Sequence, residues 1–301
     1  LNSSFDLARK AAALAASAQN HPAGALYVVG TPIGNLADIS LRALHVLDQV
    51  DLIACEDTRH SAGMLKQYGI SKPLLAVHEH NESQAAAAVV DKLQTGARIA
   101  YISDAGTPGI SDPGARLVAA ARSAGATVIP IPGASSPTAL LSVAGVQDGA
   151  AVLFVGFLPS KAGEREKAWQ GVRQHIGAVV LLEAPHRLDT LAGEIASLGP
   201  RRVTLGRELT KQFEEVATLM AAELPSWLDQ EPKRRRGEFT VVLHPAAMPQ
   251  EPGSPHHRIL SLLMAHLPLK TAVQLSAEIT GAPRNTLYEQ ALKLQQQGSS
   301  E

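Results

Sequence analysis

Three times in the first half of this chain a short apolar run gives way to a loop of glycine, proline and small hydroxyl residues, followed by a helical pattern. Ala25–Val29 runs into Gly30-Thr31-Pro32-Ile33-Gly34-Asn35, and Arg98–Ile102 into Ser103-Asp104-Ala105-Gly106-Thr107-Pro108-Gly109-Ile110-Ser111-Asp112-Pro113-Gly114. Thr127–Ile131 runs into Pro132-Gly133-Ala134-Ser135-Ser136-Pro137. Strands without polar alternation are buried on both faces, and their repeated succession by helices is the mark of an α/β fold with a mostly parallel sheet. In such a sheet ligands bind outside the carboxyl ends of the strands. Glycines there permit close backbone approach, and prolines fix the path. The three junctions predict a pocket for a small polar ligand held largely by backbone groups.

The alternation continues from Leu26 to about Ala144, with strands at Tyr27–Val29, Leu52–Cys55, Leu74–Val77, Ile99–Ile102 and Val128–Ile131. Helical patterns fall at Ser40–Gln49, Arg59–Tyr68, Glu82–Gln94, Asp112–Ser123 and Ser136–Val143. A Gln147-Asp148-Gly149 turn closes this unit. A second unit has strands at Val152–Val155, Ala178–Leu182, Arg202–Leu205 and Phe239–Leu243, with helices near Glu164–His175 and Arg187–Leu198. The predicted organisation is a flexible extension over 1–24, α/β domains over 25–149 and 150–245, a proline-rich linker over 246–254 and a helical module over 255–301. That module carries three helical patterns with a Gly281-Ala282-Pro283 stop, which suggests a helix-turn-helix-like unit. Four basic residues face four acidic ones from Ala246 onward, so the tail has no electrostatic footprint of its own.

Composition bounds the function without defining it. Lys plus Arg total 27 against 28 Asp plus Glu, so no global charge advertises a polyanionic partner. The single Cys55 excludes a disulfide framework and points to a reducing, cytoplasmic setting. An alanine-rich stretch after Arg9 and Lys10 imitates a secretory signal only faintly, and no apolar run approaches the ~20 residues of a membrane span. No metal-ligand pattern is read.

Several common pockets are excluded by spacing. Gly30-Thr-Pro-Ile-Gly34 lacks the G-x-G-x-x-G of a dinucleotide turn, and neither a G-x-x-x-x-G-K-[ST] phosphate loop nor a G-x-S-x-G elbow occurs. A ligand without a pyrophosphate remains. S-adenosylmethionine fits, with an adenosine to stack, a zwitterion to satisfy and a sulfonium that prefers carbonyls and carboxylates. Any one of these loops alone is also ordinary turn chemistry.

Long ordered blocks carry a resemblance: Leu26–Leu36, Ala54-Cys-Glu-Asp-Thr-Arg59, His78-Glu-His-Asn-Glu82, Ser103–Gly114 and Pro132–Ser136. Gly156-Phe-Leu-Pro159, Glu183-Ala-Pro-His-Arg187, Gly206–Lys211 and Gly237-Glu238 extend it. Over roughly Leu26 to Leu243 the chain resembles the ribosomal RNA small-subunit methyltransferase I family of the tetrapyrrole-methylase (class III) superfamily. The resemblance implies two α/β domains with S-adenosylmethionine between them, a homodimer, and 2′-O-methylation of a cytidine ribose near the decoding region of 16S rRNA. It places the cofactor against Pro32, the loop Asp104-Ala105-Gly106-Thr107, Ser135 and Ser136, with Leu182, Arg207 and Thr240 completing the pocket. Asp104 is expected to face the cofactor's polar end, although an Asp in such a loop is equally a turn or cap former. Asp112, before Pro113, suits helix capping better.

The chemistry needs the acceptor oxygen in line with the sulfur–methyl bond and help in losing its proton. Asp57, Glu56 and His78 are candidates to accept or relay it, with Arg59 positioning a phosphate; a salt-bridged turn is the plainer account of Glu56–Arg59. Arg187 and Lys211 open onto strand ends where RNA could pass. Lys233-Arg234-Arg235-Arg236 is the strongest local basic run, though such runs often serve only as solvated loops. Two rivals stand beside this reading. One is a small-molecule tetrapyrrole methyltransferase, and the other a non-catalytic ribosome-assembly factor that binds RNA.

Overall fold

The computed structural model describes residues 5–16, 18–78, 81–146, 151–246 and 255–298. The predicted Gln147–Gly149 turn and all of the predicted linker after Ala246 lie outside the described residues, as do Glu79 and His80.

Strands β1 (Ala25–Val29), β2 (Leu52–Cys55), β3 (Leu74–Ala76), β4 (Ile99–Ile102) and β5 (Thr127–Ile131) form a wholly parallel sheet in the order β3-β2-β4-β1-β5. The two-residue period of a strand explains why they are apolar throughout. Ala25, Tyr27 and Val29 of β1 point into a core shared with α1 (Asp6–Ala16), α2 (Leu41–Gln49) and α3 (Thr58–Gln67). Leu26 and Val28 point the other way, towards α4 (Glu82–Gln94) and α5 (Ala115–Ser123). Leu44, Leu47 and Ile53 are fully buried, each contributing roughly 1.5–3 kcal/mol. β2–β4 build out on one side of β1 and β5 on the other, so the order reverses at β1 and opens a crevice beyond its carboxyl end.

The extension, expected to be disordered or loosely helical, is over α1 a helix packed against the first domain. Ala12 and Ala16 are buried, Arg9 binds Asp48 at 2.7 Å and the Gly69 carbonyl at 2.9 Å, and Phe5 lies edge-on to Tyr68. Small alanines allow this helix to sit close to α2 while giving little apolar signal in the sequence.

The second sheet contains β6 (Val152–Phe157), β7 (Ala178–Glu183), β8 (Arg202–Arg207), β9 (Glu215–Met220) and β10 (Phe239–Leu243), in the order β6-β7-β10-β8-β9. Only β6 and β7 pair in parallel; β7–β10, β10–β8 and β8–β9 are antiparallel. The expectation of mostly parallel sheets therefore holds for the first sheet and is corrected for the second. β9 is a strand that the sequence reading missed. Its residues alternate between half-buried and exposed, as an edge strand's do.

Val179, Leu181, Val241 and Leu243 face α7 (Ala162–Gln174), α8 (Leu188–Ala196) and α9 (Leu224–Asp229). Val180 and Val242 on the opposite face meet Leu140 and Ala144 of α6 (Ser136–Ala144). Helix α6 follows β5 of the first sheet yet packs on the second, fixing the two sheets against one another. At the C-terminus, α10 (Pro255–Met264), α11 (Leu269–Thr280) and α12 (Arg284–Gly298) enclose a core of their own around Leu260, Val273 and Leu287.

Candidate active site

The glycine-rich loops are held against each other at the carboxyl ends of β1, β4 and β5. A Cβ on Gly30 would sit 2.8 Å from the Gly133 Cα, and one on Gly133 would sit 2.5 Å from the Gly30 oxygen. Only glycine permits that approach. The Thr31 amide donates to the Gly106 carbonyl at 2.8 Å, and the Thr107 hydroxyl donates to Ala134 at 3.1 Å.

Between these loops and the second sheet lies a cavity of about 430 Å³. The first unit contributes Ile33, Ala105–Thr107, Ile110–Asp112 and Ser135–Pro137; the second contributes Phe157, Leu182–Pro185, Leu209 and Glu238–Thr240. Of the residues predicted to hold a cofactor, Ala105, Gly106, Thr107, Ser135, Ser136, Leu182 and Thr240 line it, whereas Pro32, Asp104 and Arg207 do not. The Asp104 carboxylate instead accepts from the Asp57 amide at 3.2 Å. Arg207 is buried beside Glu215, 3.6 Å away, and reaches the Arg236 carbonyl. The lining mixes hydroxyls, apolar residues and the acidic residues Asp112 and Glu238, with no Lys or Arg; Glu183 contributes to the wall, but its carboxylate is fully buried against Arg165 and Arg187. That donor set disfavours a pyrophosphate and suits a cationic, zwitterionic nucleoside. Ser135 makes no side-chain cap to α6, so the first-turn amides of that helix add anion-binding capacity at the cavity wall.

None of Glu56, Asp57, Arg59 or His78 lines the cavity. Asp57 is the N-cap of α3, accepting from Arg59 N at 2.7 Å and His60 N at 3.3 Å, and these bonds hold its carboxyl below the usual range. Glu56 is half-buried, and burial followed by the Asp104 charge pushes its carboxyl up. Arg59 is exposed, and the His78 amide donates to the Asn81 side chain at 2.8 Å.

The capping role expected for Asp112 is corrected. Helix α5 begins at Ala115, and Glu82 caps it from α4 by accepting from Gly114 N (3.0 Å), Arg116 N (2.9 Å) and Leu117 N (3.3 Å). Asp112 is thereby free to line the cavity. Burial, and then the neighbouring Glu56, push its carboxyl up to about 6, against the lowering effect of the Ser103 hydroxyl.

The basic residues are mostly engaged within the protein. Arg187 binds the buried Glu183 at 3.1 Å, which also meets Arg165 at 3.3 Å, and Arg187 donates to the Leu158 carbonyl. Lys211 lays its stem over Gly34 and holds Glu208 at 2.9 Å and Glu238 at 3.0 Å. Lys233 pairs with Glu231, while Arg234 pairs with Glu215 and stacks 4.0 Å above Trp227. Arg235 binds Asp189 and Asp229. Arg236 alone of that run has no ion pair among the described residues and is exposed.

Fold and cleft together define a methyltransferase of the tetrapyrrole-methylase class. Residues 25–225 match the tetrapyrrole (corrin/porphyrin) methylase family, and 251–295 match the RsmI C-terminal HTH domain. Solved structures of the same fold include a uroporphyrin-III C-methyltransferase from Thermus thermophilus (TM-score 0.52, 21% identity, 73% of this chain and 94% of that one). A diphthine synthase gives a TM-score of 0.56 at 16% identity over 73% of this chain and 90% of its own. Full-length relatives are far more similar. The ribosomal RNA small subunit methyltransferase I of Pseudomonas aeruginosa is 46% identical over 92% of this chain and 99% of its own. That of Escherichia coli O157:H7 is 45% identical over 90% and 96%. The chain belongs to the ribosomal RNA small subunit methyltransferase I family. Membership makes it an S-adenosylmethionine-dependent methyltransferase.

Proposed function

We propose that this protein methylates the 2′-oxygen of a cytidine ribose near the decoding region of small-subunit ribosomal RNA, acting in the cytoplasm on the small subunit. The observation that carries the reading is the cavity between the two sheets, lined by hydroxyls and carboxylates without a cation, in a chain whose near-full-length relatives are rRNA methyltransferases. S-adenosylmethionine supplies an activated methyl group when bound. Thr107, Ser135, Ser136, Thr240 and the first-turn amides of α6 would satisfy its polar ends, and Ile33 and Leu182 its apolar surface. Pro32, Asp104 and Arg207 then act behind the cavity wall, Asp104 by tying the β4 loop to the end of β2.

Exposed Arg59 and Arg236 are the cations best placed to meet phosphates directly. Arg187, Lys211 and Lys233–Arg235 would reach RNA only by exchanging their present carboxylate partners. Val143, Val152, Leu153, Phe154 and Phe157 are exposed along β6 and α6, and this apolar edge supports a homodimer.

Purified protein with methyl-labelled S-adenosylmethionine tests the reading against its rivals. Label should enter assembled small subunits and be recovered as 2′-O-methylcytidine. Label entering a tetrapyrrole instead would favour the small-molecule methylase, and subunit binding without transfer would favour an assembly factor.

A further inference from the structure

Every methyl group delivered from a sulfonium to a hydroxyl releases one proton. The oxygen–carbon bond forms, the carbon–sulfur bond breaks with its electron pair remaining on sulfur, and the hydroxyl hydrogen leaves as H⁺. A group bordering the cavity must receive it or pass it to water. Three acidic residues border the cavity, Glu183, Glu238 and Asp112, but the Glu183 carboxylate is turned to the far face of the sheet and fully buried. Glu183 is held by Arg165 and Arg187 and also accepts from the Ala184 amide at 3.0 Å. Glu238 is bound to Lys211, and its side chain is 76% exposed. Asp112 has no ion pair among the described residues, and the Ser103 hydroxyl donates to the Ala105 carbonyl at 3.2 Å.

Resting on the substrate reading above, we propose that Asp112 is the general base that takes up the proton of the acceptor hydroxyl. The fold puts it there by two separate devices. Glu82 supplies the cap of α5, which leaves Asp112 without that duty. Ser111, at φ +67°, turns the loop towards the second sheet, and its Oγ lies 2.5 Å from where a Cβ on Gly156 would stand. A side chain at 156 would displace the segment carrying Asp112. The groups facing Asp112 are all acidic or neutral: Glu56 from the end of β2, and Asp104, Ser103 and Tyr101 from β4 and its loop. Glu82 also acts on the Tyr101 hydroxyl from the start of α4. This environment favours the protonated form and raises basicity towards neutrality, where a base is most effective.

The test uses full-length wild type, Asp112→Asn and Asp112→Glu. With assembled subunits, D112N should lower kcat by about 10²–10⁴-fold. Its affinity for S-adenosylhomocysteine and its KM for subunits should stay within about threefold, and D112E should recover part of the loss. Wild-type kcat should rise with pH through about 6, and that limb should be absent from D112N. A second readout needs no turnover: the ¹³Cγ resonance missing from D112N should titrate near pH 6 in the wild type. A folded D112N with kcat within threefold of wild type overturns the proposal, as does a carboxyl titrating near pH 4. A loss of S-adenosylhomocysteine affinity equal to the loss of kcat also overturns it, because it assigns Asp112 to binding. Wild-type protein that binds S-adenosylhomocysteine and shows the raised titration, yet methylates no subunit, overturns the substrate reading instead.

Discussion

Glu82 shows how far a single side chain reaches in this fold. It sits at the start of α4, 7% exposed, and one of its oxygens accepts three amides at the start of α5. The Gly114 and Leu117 amides are buried, and the Arg116 amide is partly so. In Glu82→Ala the two buried donors lose their partner at about 1–3 kcal/mol each, while water can serve the third. The expected loss is about 2–6 kcal/mol. Glu82→Gln keeps a neutral acceptor and should lose only about 1–2 kcal/mol, since hydrogen bonds to charged groups are roughly twice as strong. Urea unfolding of both variants at one pH measures the difference, with the midpoint read at constant m. Because α5 anchors the loop carrying Asp112, E82A should also lose methylation in excess of its unfolded fraction. An E82A unfolding free energy within about 0.5 kcal/mol of wild type would refute the capping argument.

Other outcomes follow from the same geometry. Gly114→Ala should cost about 2–4 kcal/mol in urea unfolding, since φ is +122° and the new Cβ would stand 2.2 Å from the Tyr101 ring. Asp112→Asn should change the pH profile of stability. A carboxyl raised to about 6 when folded binds protons more tightly than in the unfolded chain, so its contribution is present below pH 4 and lost as pH rises towards 6. The variant should therefore gain stability relative to wild type at pH 7 and lose that slope between pH 4 and 6; an unchanged slope contradicts the assignment. Truncation after Leu243 removes α10–α12, which have their own core, and should leave S-adenosylhomocysteine affinity intact while lowering methylation of assembled subunits. Full activity on subunits with a lowered melting temperature would show the module to be a packing lid.

The first sheet was legible because its strands are buried on both faces and its loops carry the glycines that close approach requires. Most of the residues predicted at the cleft line it for the same reason. What escaped depended on partners remote in sequence. Asp112-Pro113 reads locally as a helix start, but the cap comes from Glu82, 32 residues before Gly114. Lys233–Arg236 reads as a basic footprint until Glu215, Asp189 and Asp229 are brought against it. Strand direction in the second sheet is set by pairing rather than composition, and β9 has the mixed polarity of an edge. In α1 the buried face is alanine, whose small side chains give little apolar signal.

The most direct test of the central claim is an alkaline cleavage ladder of small-subunit RNA from cells with and without this protein. A 2′-O-methyl group blocks cleavage at its own nucleotide because that hydroxyl is the attacking group. RNA from cells lacking the protein should gain one cleavage site at a cytidine in the decoding region, and the block should return when the wild-type chain is restored. A ladder identical in the two strains would contradict the account.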